Sequence, residues 1–264
     1  DNSILCTNES TLIAEERIAD ALTAELGRNG AHVLDAEATD RVRAACYPEG
    51  RIATALAGKD AAVLAQAAGI RIPARTRVLV APFQSIVPEE PLAHEKLFPL
   101  LGMVRVADAQ RGIEAARGLL RIGGAGHSAV IHSRAPETIL AYGSALRVLR
   151  VTVNAPGSTG AAGLDTHLPL AMTIGTGFFG RSSLTENLQP RDLVQWTQLA
   201  YASDPAEPFG DFSGLEPWSA TAEAMPAAVA QPPSAAAAGP GQPSLLREEL
   251  RRLVLDELRE LVRG

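Results

Sequence analysis

The chain has 264 residues, enough for one or two domains, and carries 24 Lys and Arg against 30 Asp and Glu for a net charge of −6. That balance excludes a broad basic face for nucleic acid or anionic lipid. The two cysteines, Cys6 and Cys46, make no disulfide framework, and no signal-like segment is visible. No apolar run approaches the ~18 residues of a membrane span, so a reducing, cytosolic setting is expected.

Residues 1–10 read Asp1-Asn2-Ser3-Ile4-Leu5-Cys6-Thr7-Asn8-Glu9-Ser10, an apolar approach that ends in a thiol among small polar residues. With no initiator Met, this start reads as a piece of a larger protein. Residues 15–27 predict a helix: Glu15 and Glu16 lie in the first turn, Ile18, Leu22 and Leu26 recur every four residues, and Gly27 stops it. Residues 37–70 are Ala-rich and read as two or three short helices. Arg77 to Phe83 is a β-rich run interrupted by Pro82, and residues 101–106 form another. Helical period returns over 108–121 and 136–146, with strand candidates at 128–132 and 148–153. Interleaved helices and strands predict an α/β domain with a largely parallel sheet.

Composition shifts near Ser203. Residues 203–243 carry Pro205, Pro208, Pro217, Pro226, Pro232, Pro233, Pro240 and Pro243 and the run Ala235 to Ala238. Such a stretch holds no core and predicts a semi-extended linker. In residues 244–264, Leu246, Leu250, Leu253, Val254, Leu258, Leu261 and Val262 recur at helical spacing. The opposite face balances five Arg against four Glu and one Asp, which makes attraction to an anionic membrane a poor explanation. The predicted domains are therefore 1–202, 203–243 and 244–264. The last helix either folds back on its own domain or docks on a partner.

Few residues stand out for chemistry. Cys46 sits on a predicted helix among alanines and reads as a small buried hydrophobe. Cys6 lies where the chain turns from apolar to polar, a place where a thiol is exposed and can react. His127 follows Gly124-Ala125-Gly126 and opens a strand, near a sheet edge; a structural histidine is the plain alternative. His32, His94, His132 and His167 read as structural or surface residues. No histidine pair combines with a cysteine at zinc-like spacing, so no metal site is expected. Gly175-x-Gly177-x-x-Gly180 matches a dinucleotide fingerprint in form only, since no opening apolar helix and no βαβ unit surround it.

Five stretches carry a resemblance when taken in order. They are Asp1-Asn2-x-x-x-Cys6, then residues 90–99 (Glu90-Pro91-Leu92-Ala93-His94-Glu95-Lys96-Leu97-Phe98-Pro99), and Gly124-Ala125-Gly126-His127-Ser128. Val153-Asn154-Ala155-Pro156-Gly157-Ser158-Thr159-Gly160 and the glycine-rich run from Gly175 to Leu188 complete the set. Together they resemble the CoA-acylating aldehyde dehydrogenases, including the microcompartment-associated type, over residues 1 to about 200. The resemblance implies a three-layer aldehyde dehydrogenase catalytic domain without its nucleotide-binding half.

It further implies that Cys6 is the nucleophile, forming a thiohemiacetal and then a thioester, with NAD or NADP as hydride acceptor and coenzyme A as co-substrate. The Cys6 N–H is the implied oxyanion donor. His127 is implied as a base or CoA-positioning group, and Glu95 as the carboxylate on the nicotinamide ribose; an exposed acid at a helix start is the alternative for Glu95. Phe178 and Phe179 are implied to line the acyl pocket. Asn154, Ser158 and Thr159 belong to a comparable loop, although turn chemistry alone would explain them. Without the nucleotide-binding half, the chain is expected to keep a reactive cysteine and to turn over little aldehyde. A non-acylating aldehyde dehydrogenase or an acyl-phosphate reductase is the alternative within the enzyme class. Residues 244–264 also resemble an encapsulation peptide, which implies shell or cargo partners in a bacterial microcompartment, a homo-oligomer at full length, and a non-enzymatic alternative in which the chain is only an assembly module.

Overall fold

The computed structural model describes residues 2–204, 206, 208 and 210–215. The predicted helix 244–264 and most of the predicted linker 203–243 lie outside the described residues. Two compact units divide the chain, Asp1–Thr197 and Gln198–Gly264. The described part of the second unit includes an edge-on pair, Tyr201 and Phe212, with ring centroids 6.4 Å apart.

The first unit alternates strands and helices. In chain order these are β1 (Thr11–Glu15), α1 (Glu16–Arg28), β2 (Ala31–Val33), α2 (Ala36–Cys46), α3 (Ala61–Ala67) and β3 (Val78–Pro82). They continue with β4 (Leu100–Val106), α4 (Ala109–Gly123), β5 (Gly126–Ile131), α5 (Pro136–Ala145), β6 (Val148–Val153) and α6 (Gly157–Ala161). Four strands form a parallel sheet in the order β1-β4-β3-β2, and β5 pairs in parallel with β6 in a second sheet. The α/β class and the parallel sheet agree with the sequence reading.

Period-two alternation in the strands sets the layers. Leu79, Ala81, Leu100 and Val104 join Val42, Cys46 and Leu64 on one face, with Leu119 and Ile122 of α4 packed against that cluster. Val80 and Met103 turn to the other face, where Ala19, Leu22 and Leu26 of α1 cover them. The four-stranded sheet is thus buried on both sides, as parallel sheets are.

Two strands escape the sequence reading. β1 runs into α1 with no intervening turn, so its apolar residues merge with the helical pattern. β2 is three residues long and follows Gly30, whose φ of +92° makes the turn that a side chain would strain. The Ala-rich stretch resolves into α2 and α3 joined by two short 3₁₀ turns, and Asp35 caps α2 by accepting from the Ala38 N–H at 2.8 Å.

Candidate active site

Cys6 lies on an exposed turn, residues 5–8, closed by the Asn8 N–H donating to the Leu5 carbonyl at 3.0 Å. Its peptide N–H donates to no backbone carbonyl among the described residues. Cys46 is fully buried in α2, and burial pushes its thiol up to about 12. The two thiols are therefore chemically unlike, and only Cys6 meets solvent.

Direct contacts tie the Cys6 turn to two other motif segments. The Glu9 carboxylate accepts from the Gly157 N–H at 2.7 Å, at the start of α6. A Cβ on Gly157 would stand 2.5 Å from the Thr7 carbonyl, so glycine is what lets turn and helix meet. On the other side, Ser10 Oγ donates to the His94 carbonyl at 3.2 Å, and Lys96 Nζ donates to both Ser10 Oγ and the His94 carbonyl at 3.0 and 2.9 Å. Glu95 itself is exposed, and its carbonyl accepts from Tyr47 Oη at 3.2 Å.

His127 is the second residue of β5, half-buried, with Nδ1 2.8 Å from Ser128 Oγ. Burial lowers its proton affinity below the usual imidazole value, the Arg150 cation lowers it further, and the Glu95 charge works in the opposite direction. The ring is held toward its neutral, basic form, and it feels the Glu95 carboxylate. No hydrogen bond joins Cys6 to His127 among the described residues.

Behind His127, a buried arginine organises the glycine-rich run. Arg150 Nε donates to Asn187 Oδ1 at 2.7 Å, and its terminal nitrogens reach the His127 and Thr185 carbonyls, each at 3.4 Å. Asn187 Nδ2 donates to the Ala161 and Pro169 carbonyls at 2.8 and 2.7 Å. Gly126 adopts φ +97°, and a Cβ there would meet the Thr176 carbonyl at 2.2 Å and the Gly180 nitrogen at 2.6 Å. The five motif segments thus form one contact network rather than five separate loops.

The remaining sequence-derived candidates occupy varied positions. Asn154, at φ +54°, uses its whole amide on the Ser133 peptide: Oδ1 accepts from Ser133 N–H at 3.0 Å and Nδ2 donates to Ser133 O at 2.8 Å. That bonding ties the end of β6 to the end of β5. Thr159 Oγ1 donates to the Asp165 carboxylate, and Ser158 is half-buried in α6. Phe178 is 90% exposed; Phe179 is 45% exposed and packs edge-on against it, with the Arg147 guanidinium 6.0 Å from the Phe179 centroid. A cavity of about 1390 Å³ lies between β1 and the β5–α5 connection, and Cys6, His127 and Glu95 do not line it.

Lys96 and Arg150 were missed as site-building residues. Arg150 left a signal, a single charge inside the apolar run Val148-Leu149-Arg150-Val151. Lys96 left a fainter one, since it stands beside Leu97-Phe98-Pro99 but also beside Glu95, where a surface position is equally natural.

No family model matches the chain. It is 33% identical over 205 residues to an aldehyde-alcohol dehydrogenase of Clostridium acetobutylicum, a match covering 76% of this chain and 24% of that protein. Among solved structures, an acetylating aldehyde dehydrogenase from Geobacillus thermoglucosidasius superposes with a TM-score of 0.70 at 29% identity, covering 76% of this chain and 46% of that one. A propionaldehyde dehydrogenase from the fucose utilisation bacterial microcompartment of Clostridium phytofermentans gives a TM-score of 0.61 at 27% identity, covering 69% and 42%. The chain spans about a quarter of the first of these proteins and less than half of each of the other two. By sequence and by fold, it belongs to the acylating aldehyde dehydrogenases.

Proposed function

We propose that the chain supplies the acyl-transferring part of an enzyme that oxidises a small aldehyde to its acyl-CoA, with NAD or NADP as the electron acceptor. The convergence of the Cys6 turn, the Glu95 segment, His127, the Gly157 loop and the glycine-rich run into one network carries this reading.

The Cys6 thiolate adds to the aldehyde carbon, and the carbonyl electron pair moves to oxygen. The Cys6 N–H, which donates to no backbone carbonyl among the described residues, would donate to that oxygen. Glu95 fits a ribose: an exposed carboxylate can accept from both hydroxyls of a vicinal diol. Bound NAD(P)⁺ would supply the acceptor for the hydride that leaves the former aldehyde carbon. What remains is a thioester on Cys6. The CoA thiol, giving its proton to neutral His127, attacks that thioester, and the Cys6 thiolate leaves. Sulfur serves this exchange because thioester and product lie close in energy.

Incubating the chain with propionyl-CoA tests the second half-reaction without a nicotinamide cofactor. The expected product is a propionyl thioester on Cys6 with release of free CoA, read by intact and peptide mass spectrometry. Cys6→Ala should abolish it, Cys46→Ala should retain it, and His127→Asn should slow it by about 10²-fold. Acylation that survives Cys6→Ala overturns the assignment, as does a wild-type chain that takes no acyl group.

Location in a bacterial microcompartment is supported by the tail pattern at 244–264 and by the source of the Clostridium phytofermentans neighbour. Shell or cargo proteins are then the partners of residues 244–264, with 203–243 as the tether. Deleting 244–264 should remove co-sedimentation with shell proteins and leave acyl transfer to Cys6 unchanged. Retained co-sedimentation refutes this location.

A further inference from the structure

Lys96 is 4% exposed, and no carboxylate lies within ion-pair distance of it among the described residues. A buried lysine without a counter-charge is costly, and such residues persist where their hydrogen bonds serve a purpose. Lys96 has three acceptors within reach of its ammonium: the His94 carbonyl at 2.9 Å, Ser10 Oγ at 3.0 Å and Thr11 Oγ1 at 3.4 Å. Three N–H donors meet three oxygens. Ser10 Oγ also donates to the His94 carbonyl, which closes a triangle between residues 86 positions apart in sequence.

The space for this triangle comes from Gly102 of β4. A Cβ there would stand 2.9 Å from the Phe83 ring and 3.0 Å from the Leu92 carbonyl, and it would touch Lys96 Cε at 3.4 Å. The Gly102 N–H donates to the Ser10 carbonyl at 3.0 Å. The lysine stem thus passes beside a residue that is itself bonded to the end of the Cys6 segment.

The geometry points to Lys96 as a positioning residue that clamps the Cys6 turn to the Glu95 segment, so that nucleophile and cofactor carboxylate keep a fixed relation. This rests on the roles proposed for Cys6 and Glu95. Lys96 touches neither substrate nor cofactor in this arrangement; it acts through Ser10 and the His94 carbonyl. Burial pushes its ammonium down to about 7, with the Glu90 charge opposing, so the fully donating form prevails below neutral pH.

The test uses the 264-residue chain at pH 6.5. Lys96→Met keeps the apolar stem and removes the amine. Amide exchange of Asn8 and of residues 94–96, followed by NMR, should accelerate roughly tenfold while β3 amides keep their wild-type protection. Transfer from propionyl-CoA to Cys6 should fall at least fivefold in its saturating rate, with little change in the half-saturating concentration. Ser10→Ala, which leaves the lysine in place, should give the same pattern more weakly. The double variant should be no worse than Lys96→Met, because the two residues act as a unit. If Lys96 were only core filling, exchange would rise in β3 in the same proportion and acyl transfer would keep its rate; either result overturns the clamp. A wild-type chain that accepts no acyl group refutes the proposed function instead, and the exchange measurements still judge the clamp alone.

Discussion

At the scale of single residues, Lys96 and His127 make opposite use of burial. Both lose proton affinity, but one is a donor hub and the other a base. The lysine has a consequence for stability. The unfolded chain keeps the Lys96 proton up to about pH 10.5, whereas the folded chain releases it from about pH 7. Between these values the unfolded state binds the extra proton, so stability rises with pH. The expected gain is about 2 kcal/mol between pH 7 and 9, read from urea midpoints, and Lys96→Met should flatten the slope. Above pH 9 the buried Cys46 thiol opposes it: the unfolded thiol ionises near 9, while the folded one holds its proton to about 12. The groups nearest this lysine, Glu90, Glu95, His94 and Tyr47, stay in place in that variant, so a slope that persists in it would refute Lys96 as the source. For His127 the sign is also fixed. Its lowered affinity means the unfolded state gains a proton first as pH falls through the usual imidazole value, so that part of stability is lost in acid.

At the scale of elements, glycines decide how the motif segments meet. Gly126 presses the first residue of β5 against the 176–180 backbone at positive φ, where no side chain fits. Gly126→Ala should destabilise the fold by about 3 kcal/mol or more and displace His127; a Tm within 2 °C of wild type would contradict this. Glu9→Gln should be mild by comparison, since an amide oxygen still accepts from the Gly157 N–H, and about 1 kcal/mol is expected from denaturant midpoints. These contacts explain what the sequence could and could not reveal. The exposed Cys6, the buried Cys46 and the β5 position of His127 were legible because each follows from immediate neighbours. The Lys96 triangle and the Arg150–Asn187 bond were not, because their partners lie 86 and 37 residues away, where no local pattern reaches. Strands β3 to β6 were legible from β-rich runs; β1 was masked by its direct passage into α1.

At the scale of the whole molecule, the first unit, Asp1–Thr197, holds both core clusters and every residue of the candidate site. A chain ending at residue 197 should therefore unfold cooperatively with a Tm within about 3 °C of the full chain, checked by calorimetry; loss of the transition would make the second unit part of the fold. The parallel pairing of β1 with β4 also bears on how the protein is made. Thr11 pairs with Gly102 and Glu15 with Val106, so a ribosome must deliver the whole α1–β3 stretch before the first strand finds its partner. Until then the apolar β1 residues travel uncovered, open to chaperones and to stray strand pairing. Synthesis speed between the codons of Thr11 and Val106 thus governs how long that strand stays open to a wrong partner.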